Sequence, residues 1–154
     1  MGLLKMMEPR VFKCHKIGGG SAKGEALISA DKICFYLADP ETGRILEKHH
    51  ALVGQTVSEK ILIFPGGKGS TVAQGDALYM LLKKGTSPRA MIIQHPDTVL
   101  VTAAILMKIP LVDRAEESFY EQIRNGDSLQ VDAYQGVIRF TGRPEEEGQR
   151  KGLL

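Results

Sequence analysis

The sequence predicts a layered α/β domain, and three observations carry that expectation. An unbroken β-branched and aromatic run, Ile61-Leu62-Ile63-Phe64, passes through Pro65-Gly66-Gly67-Lys68-Gly69-Ser70 straight into a helical pattern at Thr71. Two more short apolar runs, Ala90–Ile93 and Leu111-Val112, alternate with segments of helical character. Leu129, Val131 and Ala133 then alternate with polar residues up to a Gln135-Gly136 turn, the mark of a hairpin. Strands first, strand–helix alternation next and a hairpin last suit stacked sheets and helices better than a regular Rossmann repeat.

Taken in order, residues 1–10 read as a loose leader and 11–142 as the folded domain. Val11 to Ile17 is strand-like with polar interruptions, and Gly18-Gly19-Gly20 breaks it. Ala26-Leu27-Ile28 and Ile33 to Leu37 are the next apolar segments. Asp39-Pro40-Glu41-Thr42-Gly43 is a turn, started by Asp and Pro and closed by a glycine free to take positive φ. Ile61 to Phe64 is a buried strand. Thr71 to Lys84 is a helix with Leu78, Leu81 and Leu82 on one face. Lys83 and Lys84 suit its negative end and Gly85 stops it. Thr71-Val72-Ala73-Gln74 matches a capping box, with Thr71 as the cap. Asp97 or Thr98 caps a second helix to Met107, apolar nearly all round and so expected to be deeply buried. Glu116 to Arg124 is a third helix, ended by Asn125-Gly126, and Val137 to Phe140 is the last strand. Residues 143–154, with Glu145-Glu146-Glu147, read as a disordered tail.

Composition excludes several classes. A net charge of +2 and no arginine-rich stripe argue against nucleic acid and against an anionic membrane surface. The longest apolar stretch, Thr98 to Leu106, falls short of the roughly 20 residues that a span needs. A soluble, cytoplasmic protein is expected. Cys14 and Cys34 form no CxxC pair and are too few for an iron–sulfur cluster or a four-ligand zinc site, so they read as reduced thiols. The adjacent His49-His50 cannot share a helix face, so no two-histidine metal pair is expected. His95-Pro96-Asp97 reads as a helix-entry turn, and Gly18-Gly19-Gly20-Ser21 as a flexible connection.

The chemistry concentrates at Gly67-Lys68-Gly69-Ser70. A glycine loop between a strand and a helix turns backbone N–H groups toward an anion. The loop is not a P-loop, because a glycine separates Lys68 from Ser70, and it is not a Gly-x-Ser-x-Gly elbow. Two readings of Ser70 stand. It caps the helix and the glycines only turn the chain; or Thr71 caps, and the Ser70 hydroxyl faces a pocket. The helix dipole alone is worth at most about 2 kcal/mol, roughly 1.5 pKa units, which cannot make a serine alkoxide near neutral pH. A second source of positive charge would be needed.

Four segments carry a resemblance: Gly19-Gly20-Ser21-Ala22-Lys23-Gly24-Glu25-Ala26-Leu27; Asp39-Pro40-Glu41-Thr42-Gly43-Arg44-Ile45 with His49-His50; Phe64-Pro65-Gly66-Gly67-Lys68-Gly69-Ser70; and Ile109-Pro110-Leu111-Val112-Asp113. Together the chain resembles the small, swivel-domain subunit of the aconitase X family, most of all its archaeal-type phosphomevalonate dehydratases. The resemblance implies a swivelling β/β/α domain with mixed sheets and about three helices. It implies a heteromer with a larger subunit that carries a [4Fe–4S] cluster, none being bound by this chain alone. It implies dehydration of 5-phosphomevalonate to an anhydromevalonate phosphate, with Ser70 as proton acceptor and Gly67, Lys68 and Gly69 holding an anionic part of the substrate. The chain departs from the pattern at Ala73-Gln74, where many relatives have Gly-Ser. A dehydratase of hydroxyproline or another hydroxy acid, and a stand-alone anion-binding module, remain as alternatives.

Overall fold

A computed structural model describes residues 10–144; residues 1–9 of the leader and 145–154 of the tail lie outside the described residues. The elements follow as β1 (Val11–Lys13), β2 (His15–Gly18), β3 (Ser21–Ile28), a 3₁₀ turn (Phe35–Leu37), β4 (Ile61–Phe64), α1 (Thr71–Lys84), β5 (Ala90–Ile93), α2 (Thr98–Met107), β6 (Leu111–Asp113), α3 (Glu117–Gln122), β7 (Ser128–Asp132) and β8 (Val137–Gly142). Hydrogen-bonded neighbours run β1-β8-β7-β3-β4-β5-β6-β2. The inner strands β3, β4, β5 and β6 are parallel, and every other pairing is antiparallel.

Strand periodicity builds the layers. On β4, Leu62 and Phe64 point one way and pack with Leu78 and Leu81 of α1 and Leu100, Ala103 and Ala104 of α2. Ile61 and Ile63 point the other way and pack with Leu129, Val131 and Ile138 of the antiparallel strands. β5 divides likewise: Met91 and Ile93 face the helices, Ala90 and Ile92 face the second sheet. One fully buried parallel sheet therefore lies between a sheet and a helix pair, a β/β/α stack. β3 belongs to both sheets: Ser21 to Glu25 pair with β7, and Ala26 to Ile28 pair with β4.

Several expectations are corrected. Val11 to Ile17 is two strands, not one; β1 pairs with β8 and β2 with β6, and only Cys14 separates them. α2 is not deeply buried: Leu100, Ala103 and Ala104 face the core, while Leu106 is 76% exposed. On α1 the buried face is Gln74, Leu78 and Leu81, and Leu82 lies exposed. The third helix is also shorter than expected, Glu117–Gln122. The triglycine corner is tightly packed, since a Cβ on Gly20 would stand 2.7 Å from the Pro110 ring. Arg143, assigned to the tail by composition, is anchored to Asp127 by Nε–Oδ1 contact at 2.8 Å.

Candidate active site

Two strand–loop–helix units, β4–α1 and β5–α2, place their loops side by side at the C-terminal edge of the parallel strands. That is where α/β sheets ordinarily hold ligands. The backbone N–H groups of Gln94 and His95 both donate to the Pro65 carbonyl, at 3.2 and 2.8 Å. Gly66 is bare for a reason: a Cβ there would stand 2.7 Å from the His95 carbonyl oxygen. A third segment joins them, with Ile33 N–H donating to Gly66 O and Lys68 N–H donating to Ile33 O.

Between the two loops lies an open cavity of about 290 Å³ lined by Gly67, Lys68, Gly69, Thr71, Gln74, Asp97, Thr98 and Val99. Gly67, Lys68 and Gly69 thus stand together as the sequence predicts. Ser70 is exposed and lies outside this lining, one residue from it on either side. Thr71, Gln74 and Asp97 line the cavity without having been foreseen as site residues. The local signals at these positions read as capping or a helix-entry turn, and only the packing of two distant loops turns them inward.

The predicted capping box does not form. α1 starts at Thr71 with Ser70 in the cap position, at φ −64° and ψ 130°, yet the Ser70 hydroxyl makes no capping hydrogen bond. Gln74 turns inward instead of back. Its Oε1 accepts from Phe35 N–H at 2.7 Å and its Nε2 donates to Ile33 O at 2.9 Å. The α1 mouth therefore keeps both a free hydroxyl and free donors. Among the described residues, the N–H groups of Gly67, Gly69 and the first turn have no partner, whereas Ser70 N–H donates to Tyr36 Oη at 3.1 Å. A serine cap bond ordinarily contributes about 1 kcal/mol, so this site forgoes stability and leaves an oxygen available.

Lys68 is not a bare cation. Its Nζ donates to Glu47 Oε2 at 2.6 Å. That hydrogen bond is the main reason the Lys68 ammonium titrates above its usual range, so it stays charged at neutral pH. Lys68 is thus already paired with a carboxylate, that of Glu47. An anion gains little here until further positive charge arrives. Replacing Glu47 by Gln should release Lys68. In an NMR titration of this chain, inorganic phosphate should then bind about three- to tenfold tighter at low salt, the gain vanishing near 1 M salt. Unchanged affinity would show that Lys68 does not face the anion.

The described residues do not offer the ligand set of an iron–sulfur cluster. Among the described residues, no group of three or more His, Cys, Asp or Glu side chains could hold a metal ion. Cys14 and Cys34 are free thiols. Burial pushes the Cys14 thiol up to about 11, with Asp113 and Asp132 adding to the effect. It is therefore a neutral thiol near pH 7 and not a ready thiolate ligand. His50 is a buried structural histidine, with Nε2 against Lys32 O and Nδ1 accepting from Leu52 N–H, while its neighbour His49 is exposed. Asp97 caps α2 through Oδ1, as the helix-entry turn predicts. No helix among the described residues is long and apolar enough to cross a membrane.

Known proteins share this architecture and sequence. The phosphomevalonate dehydratase small subunit of Methanocella arvoryzae is 45% identical over 131 residues, covering 84% of this chain and 98% of the relative. That of Methanosarcina mazei is 40% identical over 146 residues, covering 94% and 99%. The crystal structure of Thermococcus kodakaraensis aconitase X in its holo-form superposes with a TM-score of 0.77 at 36% identity, covering 86% of this chain and 98% of that one. The aconitase X swivel-domain family model matches residues 11–140. With the stacked fold and the glycine-loop cavity at its helix mouth, the chain belongs to the aconitase X swivel-domain family.

Proposed function

We propose that this chain is the small subunit of a two-subunit hydro-lyase that dehydrates (R)-5-phosphomevalonate to trans-anhydromevalonate 5-phosphate, a step toward isoprenoids. The large subunit carries the [4Fe–4S] cluster, and this chain supplies Ser70 as the proton acceptor at the carbon beside the carboxylate. The observation that carries the reading is the uncapped Ser70 hydroxyl at the mouth of α1, next to an open cavity. A serine there gains from the helix dipole and from unpaired N–H groups, yet not enough to ionise alone. The pairing of Lys68 with Glu47 points the same way, because a phosphorylated acid would need cations from a second polypeptide. That observation disfavours a stand-alone anion-binding module. Gly67 and Gly69 offer free amides, and Lys68 shares its charge between Glu47 and the substrate.

The relatives named phosphomevalonate dehydratase small subunit, at 39–45% identity in their five foremost matches, support this substrate. Gln74, at the position where the family pattern has serine, lines the cavity, which keeps a hydroxyproline or another hydroxy acid as the second reading. The test is co-expression with a cysteine-bearing large subunit, followed by turnover assays on both substrates. The isolated chain should be inactive and the assembled pair should consume 5-phosphomevalonate. Water elimination by the isolated chain, or turnover of hydroxyproline alone, would overturn the assignment.

A further inference from the structure

The Asp39–Gly43 turn does not line the cavity, yet it builds a surface beside it. Ala38 and Ile45 pair antiparallel across the turn, and Leu46 N–H donates to Leu37 O at 2.8 Å. The result is a short hairpin with a firmly seated inner side. Ala38 and Ile45 are buried, and Thr86 Oγ1 donates to Pro40 O at 2.7 Å. Gly43, at φ +73°, has no room for a side chain, since a Cβ would stand 2.9 Å from Thr86 O. Leu37 and Leu46 stay outside, 41% and 59% exposed.

This hairpin reaches the glycine loop at two points. Tyr36, next to Leu37, is exposed, and its Oη accepts from Ser70 N–H at 3.1 Å. Glu47, next to Leu46, accepts from Lys68 Nζ at 2.6 Å. The same two segments thus hold the proposed base and its cation and present bare apolar side chains to solvent. A lone exposed leucine is ordinary. A pre-formed apolar ledge bordering an open reaction site has the make-up of an interface core, and a seated hairpin has little ordering entropy left to lose on docking.

We infer that this ledge, Tyr36-Leu37 with Leu46-Glu47, docks the large subunit, whose own apolar surface covers Leu37 and Leu46 and closes the site over Ser70 and Lys68. The inference rests on the dehydratase reading and names the surface that reading requires. A second apolar surface competes with it: a groove of about 460 Å³ between α1 and α2, where Tyr79 and Leu106 stand exposed. The groove shares Thr98 and Val99 with the cavity, but none of the hydrogen bonds that hold Ser70 and Lys68. The ledge carries both of those bonds, so a partner seated on it addresses the reacting groups directly.

The experiment titrates purified large subunit into the fluorescently labelled chain, as the parent, as Leu37→Gln with Leu46→Gln, and as Tyr79→Gln with Leu106→Gln. Each pair exchanges exposed side chains, so each isolated chain should melt within about 2 °C of the parent. The ledge variant should bind the large subunit about 30-fold more weakly, the loss that follows when a central apolar contact becomes polar. The groove variant should stay within about twofold. Undiminished binding by the ledge variant overturns the inference, and so does an equal or greater loss in the groove variant. If Leu37→Gln lowers the melting temperature, the more exposed Leu46→Gln alone makes the same comparison, with about fivefold weaker binding expected and unchanged binding again overturning the inference. If the parent chain binds no large subunit, the dehydratase reading itself falls and takes this inference with it. A parent and a ledge variant that bind equally well remove the ledge alone and leave that reading standing.

Discussion

Replacing Ser70 by Ala should lower turnover of the assembled enzyme by about 10²–10⁴-fold if Ser70 is the proposed proton acceptor, the range lost when such a group is removed. The structure makes this a clean experiment. Serine-to-alanine at a helix cap ordinarily costs about 1 kcal/mol, but the Ser70 hydroxyl makes no capping bond, so no such loss is expected here. The residue is also exposed, so its removal leaves no core cavity. The Ser70→Ala subunit should therefore melt with the parent and copurify with the large subunit while losing turnover. Steady-state rates and a melting curve on the same preparation decide the matter. Retained activity would remove Ser70 from the chemistry. A large drop in melting temperature would recast it as a structural residue.

The second large effect is expected at Gly69, for a different reason. Its φ is +94°, a conformation that side-chain-bearing residues rarely adopt, and a Cβ there would overlap the Tyr36 hydroxyl. Backbone strain in such a region costs about 1–3 kcal/mol. The Tyr36 ring is exposed and can swing aside, which adds little cost in stability but breaks its contact with the loop. Tyr36 Oη also receives the Ser70 N–H, so moving the ring moves the residue proposed as base. Gly69→Ala should therefore lower both the melting temperature and kcat, the latter by about 10²-fold, as a misplacement near 1 Å can do. Gly75→Ala is the control, since a Cβ there meets nothing within 4 Å. It should be neutral or slightly stabilising, because alanine is the better helix former. Equal behaviour of the two variants would show that the loop is not held by its contact with Tyr36.

Strong local signals made the core of the fold legible. Ile61–Phe64, Thr71–Lys84 and Ala90–Ile93 carry their own instructions: uninterrupted β-branched runs, helical spacing, and a glycine stop at Gly85, which the structure places at φ 77°. The cavity's glycine wall was legible for the same reason, because Gly67, Lys68 and Gly69 are contiguous. The rest depends on partners far along the chain. Glu47 grips Lys68 from 21 residues away, and nothing near either residue announces it. Asp97 meets Gly67 only because two parallel strands deliver their loops to one edge. Gln74 read as half of a capping box, but the buried amides of the Ile33–Phe35 segment needed it more. Apolar residues all around α2 suggested burial, whereas Ile105 and Leu106 stand exposed, since hydrophobicity does not say which neighbour will cover it.

The junction at Cys14 has a mechanical consequence. One residue ties the two outermost strands of the pairing order, and β3 runs unbroken through both layers. Shear between the layers would have to stretch that tether or tear β3 lengthwise. The molecule is thus braced to turn as a block, with any hinge at its margins, and slow amide exchange along β3 should collapse in a single step as denaturant rises.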